Sequence, residues 1–304
     1  MEPTSFHFGM TRSDAPRIVQ FLDGELRAGA GFSIRDEFPS VFGEFPGGHS
    51  LYAEVEGKVV AHVAFLTRVF KHPQFYFKVG LIGSVVTAEP FRGHGIASAL
   101  LREALTHLKN QGSLFAVLWA ENADFYRPLG FERVGKEQAL RFSAAEIVEE
   151  DITEPVGVFD PKIHMEGIWR LYHQHPLTVD RSLQEFKRLC RTPHARIFVS
   201  GGDSVTSYTV VHKGLDFQNY IHEWAGRLES VRSNIAFIQK KVFGPSDLTL
   251  IAPGEWDLRK LRSLAKDSHP GVLGMAKLLD RPRLRAVYLN YLKATGAKSW
   301  MGEE

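Results

Sequence analysis

A single cysteine, Cys190, is present in 304 residues. A disulfide framework within the chain is therefore excluded, and a reducing, cytoplasmic location is the expectation that follows. Cys190 lies in the amphipathic run Phe186-Lys187-Arg188-Leu189-Cys190-Arg191 with no His/Asn signature around it. It reads as a packed structural thiol rather than a nucleophile. Neither sign of charge dominates: 37 Lys and Arg face 35 Asp and Glu, a net charge of +2. Such a balance offers no electrostatic footprint for nucleic acid. No apolar run reaches the roughly 18–20 residues that a membrane-spanning helix needs. The first residues, Met1-Glu2-Pro3-Thr4-Ser5-Phe6-His7, lack the basic and apolar regions of a secretory signal. Metal-ligand spacing is missing too, since His173-Gln174-His175 alone is too sparse. Neither a metal, nor nucleic acid, nor a membrane is expected as a partner.

What is present is ordinary globular material. Apolar residues make up 44% and charged residues 24%, enough to bury a core in two domains of usual size. Residues 6–10 read as a strand and 15–27 as a helix, entered from Thr11-Arg12-Ser13-Asp14 and striped by Ile18, Phe21, Leu22 and Leu26. A short helix over 34–42 precedes strands 50–55 and 58–70, which flank the hairpin turn Glu56-Gly57. Strand 75–86, helix 95–109, strand 114–119, a short helix at 124–129 and a closing strand or hairpin at 132–143 complete the first half. The acidic stretch Glu149-Glu150-Asp151-Ile152-Thr153-Glu154-Pro155 reads as a connection, giving domains 1–148 and 149–304. The second half then repeats the order: helices 162–173 and 182–191, strands 195–200, 205–212 and 217–225, helix 228–242, strand 248–252. Mostly helical segments at 256–265, 272–279 and 283–294 follow.

The stretch that carries chemistry is Ser84-Val85-Val86-Thr87-Ala88-Glu89-Pro90-Phe91-Arg92-Gly93-His94-Gly95-Ile96-Ala97, a strand, a glycine-bearing loop and a helix start. Glycine lets the backbone adopt dihedrals closed to other residues and lets a ligand approach closely. The amides at the start of the following helix then point at an anion, helped by the helix dipole. A diphosphate fits that arrangement, and Arg92 and His94 add charge and donors.

This stretch resembles motif A of the GCN5-related N-acetyltransferase (GNAT) superfamily, Q/R-x-x-G-x-G/A, with Arg92, Gly95 and Ala97 at its three fixed positions. The resemblance implies acetyl-CoA as co-substrate. Its diphosphate would lie on the backbone of Gly93, His94, Gly95, Ile96 and Ala97, and its pantetheine arm along the strand that ends near Val85 and Val86. The segment Trp119-Ala120-Glu121-Asn122-Ala123-Asp124-Phe125-Tyr126-Arg127-Pro128-Leu129-Gly130-Phe131 is similar to the family's motif B. Tyr126 takes the position that in many members protonates the departing thiolate. Many members carry an Asn seven residues before that Tyr; here Asn122 is four before it, as in the subgroup related to the enhanced-intracellular-survival acetyltransferases. The usual Asn role is therefore not carried over.

The implied fold is mixed α/β, a largely antiparallel sheet flanked by helices. A second, degenerate GNAT-like domain follows, whose junction Gly226-Arg227-Leu228-Glu229-Ser230 has no Gly-x-Gly and carries an anion-repelling Glu229. The implied activity is N-acyl transfer, acetyl from acetyl-CoA, to a small-molecule or peptide amine. A backbone N–H near Val85 or Val86 would polarise the thioester carbonyl, and homo-oligomerisation is a further expectation. Amine deprotonation has several candidates: Glu121 above all, then Glu89, His49, Glu44 and the terminal carboxylate of Glu304. Trp119, Phe32, Phe38, Phe42 and Phe45 are candidates for an acceptor pocket, and His222-Glu223-Trp224 for an acid/base pair beside an aromatic. The alternative from another class is a non-catalytic acyl-CoA sensor.

Overall fold

The computed structural model describes residues 5–8, 14–43, 47–244 and 246–296. Along the chain, β1 (Ser5–Phe8) is followed by α1 (Ala15–Leu26), α2 (Ile34–Glu37) and α3 (Pro39–Phe42), then β2 (His49–Val55), β3 (Lys58–His72) and β4 (Phe75–Thr87). Helix α4 (Ile96–Asn110), β5 (Ser113–Leu118), α5 (Ala123–Tyr126), β6 (Glu132–Val134) and β7 (Glu137–Phe142) come next. After β8 (Val156–Val158), α6 (Met165–Tyr172), β9 (Thr178–Val179) and α7 (Leu183–Leu189) run β10 (Arg196–Ser200), β11 (Ser207–Val211) and β12 (Tyr220–Gly226). The chain closes with α8 (Leu228–Phe237), β13 (Leu248–Pro253), α9 (Arg259–Arg262), β14 (Asp267–Gly271), β15 (Gly274–Leu278) and α10 (Arg281–Thr295).

The chain divides into two compact units. The first draws on residues up to Arg133, on Leu177–Asp180 and on residues from Gly274 onward; the second holds Val134–Pro176 and Arg181–Leu273. The first unit's sheet runs β1-β2-β3-β4-β5-β15-β6, with β9 added beside β3. Its strands alternate burial. Leu51, Ala53 and Val55 point to the face covered by α4, while Tyr52 points to the face covered by α1, α2 and α3. Helix α4 buries Ile96, Leu100, Leu101, Ala104, Leu105 and Leu108, a stripe at three-to-four spacing. On the opposite face Ile18 and Leu22 of α1 meet Ile34 and Phe42. A buried ion pair, Arg27 with Glu37, ties the end of α1 to α2. Asp23 accepts from the Ile34 amide at 2.7 Å and so fixes the start of α2. Asp14 sits at the N-cap of α1 without a side-chain cap bond and pairs instead with Arg17 at 3.0 Å. The expected cap residues Thr11, Arg12 and Ser13 lie outside the described residues.

The second unit has its own sheet, β14-β7-β13-β12-β11-β10-β8. Val231 and Ile235 of α8 pack on one face with Leu140, Phe142 and Leu250, and Met165, Ile168 and Phe186 of α6 and α7 pack on the other. Each sheet contains a parallel pair joined through a helix, β4–β5 around α4 and β12–β13 around α8.

Three expectations are corrected. The domain division is not at residue 148/149: the first break falls after Arg133, and residues from 274 return to the first unit. The closing strand or hairpin expected at 132–143 is neither one strand nor a paired hairpin but two strands in two sheets, β6 in the first and β7 in the second, separated by Gly135 at φ +69°. Leu140 and Phe142 on β7 are wholly buried in the second core, which decides where that strand goes. Residues 272–279 are not helical. Gly274–Leu278 forms β15 and pairs antiparallel with β5, Met275 opposite Leu118. Met, Ala, Lys and Leu favour helices by weak intrinsic preference, and the open flank of β5 overrides it.

Candidate active site

Strand β4 outruns its neighbour. It pairs in parallel with β5 only from Lys78↔Ser113 to Leu81↔Val117, yet it continues to Thr87 on β3. Past Leu81 its β5-side edge is open. A cavity of about 660 Å³ lies there, within the first unit. Its walls are the end of β4 (Val85, Val86, Thr87), the loop and start of α4 (Phe91, Arg92, Gly93, Gly95, Ile96, Ala97, Ser98) and the segment after β5 (Ala120, Asn122, Phe125, Tyr126).

The loop floor is backbone. Gly93 and Gly95 have φ of +80° and +75°, the left-handed region that glycine enters without cost. A methyl group added at either would meet no protein atom within 4 Å, so the space over both is open. Gly95 is the N-cap of α4 and offers no side-chain cap; the first amide bonded back to it is that of Ala99, at 3.0 Å. Among the described residues, no acceptor is bonded to the amides of residues 93–98. These unpaired donors at a helix N-terminus form a seat for an anion. Arg92 lines the cavity, its Nε donating to the Thr87 carbonyl at 2.9 Å. Its guanidinium lies 4.0 Å from Glu25.

Tyr126 closes the other side. It is 9% exposed and packs edge-on against Phe125 and Phe131. Burial pushes its phenol above the usual range, so the hydroxyl keeps its proton through neutral pH. Asn122 caps α5 by accepting from the Phe125 amide at 3.4 Å.

Of the residues expected from the sequence, Val85, Val86, Arg92, Gly93, Gly95, Ile96, Ala97 and Tyr126 meet at this cavity. His94 and Glu121 do not line it. The His94 ring folds onto the Arg92 carbonyl at 2.9 Å, and Glu121 is exposed in the loop after β5. Thr87, Phe91, Ser98, Asn122 and Phe125 line it without having been singled out for it. The helix register after Gly95 and the adjacency to Tyr126 are signals by which Ser98 and Phe125 are findable. No carboxylate and no imidazole is among its 14 described lining residues. His49 bonds Gln111 at 3.3 Å, beside the C-terminal end of α4. Glu89 is exposed, and Glu44 and Glu304 lie outside the described residues. Phe42 belongs to the core and Phe38 packs on it; Phe45 lies outside the described residues. Trp119 is 63% exposed, in the loop beside Ala120.

In the second unit Glu223 is taken up by structure: Arg181 donates to it at 2.7 Å and Tyr208 at 3.2 Å. Burial acts to raise its pKa, but the Arg181 charge prevails and holds it below the usual carboxylate range. Burial pushes the Cys190 thiol up to about 12, which leaves it protonated and inert. No group of three potential metal ligands occurs among the described residues, and no described helix is long and apolar enough to cross a membrane.

Residues 33–134 match the family model described as an acetyltransferase (GNAT) domain. No curated protein matches the chain. Solved structures match its fold. A probable N-acyltransferase from Enterococcus faecalis, of unknown function, superposes with a TM-score of 0.70 at 14% identity, over 91% of this chain and 73% of its own. A tandem GNAT protein from the clavulanic acid biosynthesis pathway does so with 0.57 at 10% identity, over 91% and 99%. Saccharomyces cerevisiae N-myristoyltransferase, solved with bound myristoyl-CoA and inhibitors, gives 0.54 at 11% identity, over 91% and 80%.

Proposed function

The first unit carries a GNAT-superfamily domain, and from that premise we propose that the protein transfers an acyl group, acetyl first of all, from acyl-CoA to a primary amine within a ternary complex. The observation that carries this reading is the row of unpaired amides at residues 93–98, opening onto the same cavity as Tyr126. Acyl-CoA would supply a thioester. The cradle at residues 93–98 suits its diphosphate by charge and by the open space over Gly93 and Gly95. The open edge of β4 at Val85 and Val86 suits an extended amide-bearing chain and the thioester carbonyl. The Tyr126 hydroxyl would deliver its proton to the sulfur as the C–S bond breaks. With no base among the described lining residues, the amine proton would leave through water. Holding both reactants in one cavity supplies the remainder.

One observation favours a second reading. A cavity without carboxylate or imidazole also suits a module that binds acyl-CoA and transfers nothing. Free-thiol release from acetyl-CoA, measured against a panel of amines, separates the two. Tyr126→Phe is expected to lower kcat by about 10²–10⁴-fold and to leave the Kd for CoA within about twofold. Binding without turnover in both proteins supports the sensor. No binding of CoA by the wild type sinks both readings.

A further inference from the structure

The cavity wall at β4 owes its shape to an irregularity. β3 and β4 pair in step from His72↔Phe75 to Ala64↔Gly83, after which His62 faces Val86 and Ala61 faces Thr87. Ser84 and Val85 thus oppose Val63 alone, a β-bulge. The bulge shifts the in-and-out alternation by one residue, so that Val85 joins Ile82 on the α4 face and Val86 packs on the other, and the strand end Val85, Val86 and Thr87 lines the cavity. Ser84 sits at φ +48°, a conformation that residues with a Cβ avoid and that bulges usually give to glycine.

One side chain holds this bulge. His62 is wholly buried beneath it, its ring 5.8 Å from that of Phe42. Its Nδ1 donates to the Ser84 carbonyl at 3.0 Å. Its Nε2 is buried with no partner among the described residues. Burial lowers its pKa to about 4, so the ring is neutral and can carry the one proton on Nδ1. A buried, unpaired acceptor is unfavourable, and an apolar ring in this core would avoid it. The imidazole is therefore explained by the bond it makes, and that bond ends on the strained residue.

We propose that His62 is a positioning residue for acyl transfer: by holding the Ser84 carbonyl it fixes the bulge that turns the Val85 and Val86 backbone toward the acyl group. This rests on the transfer reading above.

Kinetics with acetyl-CoA on folded His62→Leu, His62→Asn and His62→Leu/Ser84→Gly provide the test. His62→Leu should lower kcat at least tenfold and leave the Kd for CoA within about threefold, because the cradle at residues 93–98 is untouched. His62→Asn, whose amide donates from nearly the same place, should keep kcat within about threefold of wild type. The double variant, in which glycine adopts the bulge unaided, should recover most of the lost rate even if His62→Leu alone does not fold. Wild-type kcat in His62→Leu, or equal loss in all three variants with CoA affinity falling alongside, overturns the proposal. Should the wild type bind CoA yet turn over no amine, the transfer reading fails separately. The backbone amide shifts of Val85 and Val86 on exchanging CoA for acetyl-CoA then decide: a response lost in His62→Leu supports the role, and one unchanged in it overturns it.

Discussion

Replacing Gly95 by alanine separates backbone strain from ligand contact. Gly95 has φ +75°, and an L-residue held there costs about 1–2 kcal/mol. The added methyl meets nothing within 4 Å, so no steric term adds to that cost and the protein should fold. At about 2–4 °C per kcal/mol, Tm should fall by a few degrees. The methyl does stand in the open space over the unpaired amides. Displacing the diphosphate from one charge-assisted hydrogen bond, worth about 1.5–3 kcal/mol, should weaken CoA binding about 10–150-fold. Gly57 supplies the control. In the β2–β3 turn it has φ +74° and equally open surroundings, but it does not line the cavity. Gly57→Ala should lose similar stability and keep wild-type CoA affinity. Titration calorimetry with CoA and thermal unfolding on both variants measure this. Unchanged CoA affinity in Gly95→Ala, or equal weakening in Gly57→Ala, would refute the anion-seat argument.

Two further outcomes concern stability. Glu37→Ala removes the carboxylate from the buried Arg27 guanidinium and should cost about 3–5 kcal/mol by urea denaturation, with Arg27→Met/Glu37→Leu recovering most of it. His62 and His222 are both lowered by burial from 6.5 to about 4. The unfolded chain therefore takes up protons at these sites as pH falls from 6.5, while the folded chain does not until about 4. Stability should decline through that window, by about 3 kcal/mol for each histidine when complete. A urea midpoint that holds constant from pH 7 to 4.5 would contradict it.

The glycine loop was legible because its chemistry is local: Arg92, Gly93, Gly95 and Ala97 act through backbone within one turn of chain. The amphipathic stripe of α4 was legible for the same reason. Glu121 shows where reading stops, since whether a loop side chain faces the cavity depends on the path after β5 and not on residue type. The fate of β7 and β15 was hidden for another reason. Each satisfies a sheet built from the other half of the sequence, and local preference cannot report a flank more than a hundred residues away. His62 reads as one more residue in an apolar strand. Its meaning needs Ser84, 22 residues on, and the register shift between the two strands.

The second unit shows how small a difference separates a strand–helix junction from an anion seat. Its sheet presents the same strand–helix junction, from β12 into α8. Glycine stands there as Gly226 at φ +113°, but its Cβ position is filled by the Thr206 carbonyl, where Gly95 has open space. The second residue of α8 is Glu229. Lys260 and its own backbone amide hold its carboxylate below the usual range, so it stays ionised at the helix N-terminus. The chain's own anion sits on the dipole that a phosphate would use, and an incoming phosphate would meet both that charge and a closed floor. Two folds with the same order of strands and helices thus differ in what they can hold because one leaves its glycines uncovered and its first helical turn free of acidic side chains and the other does not.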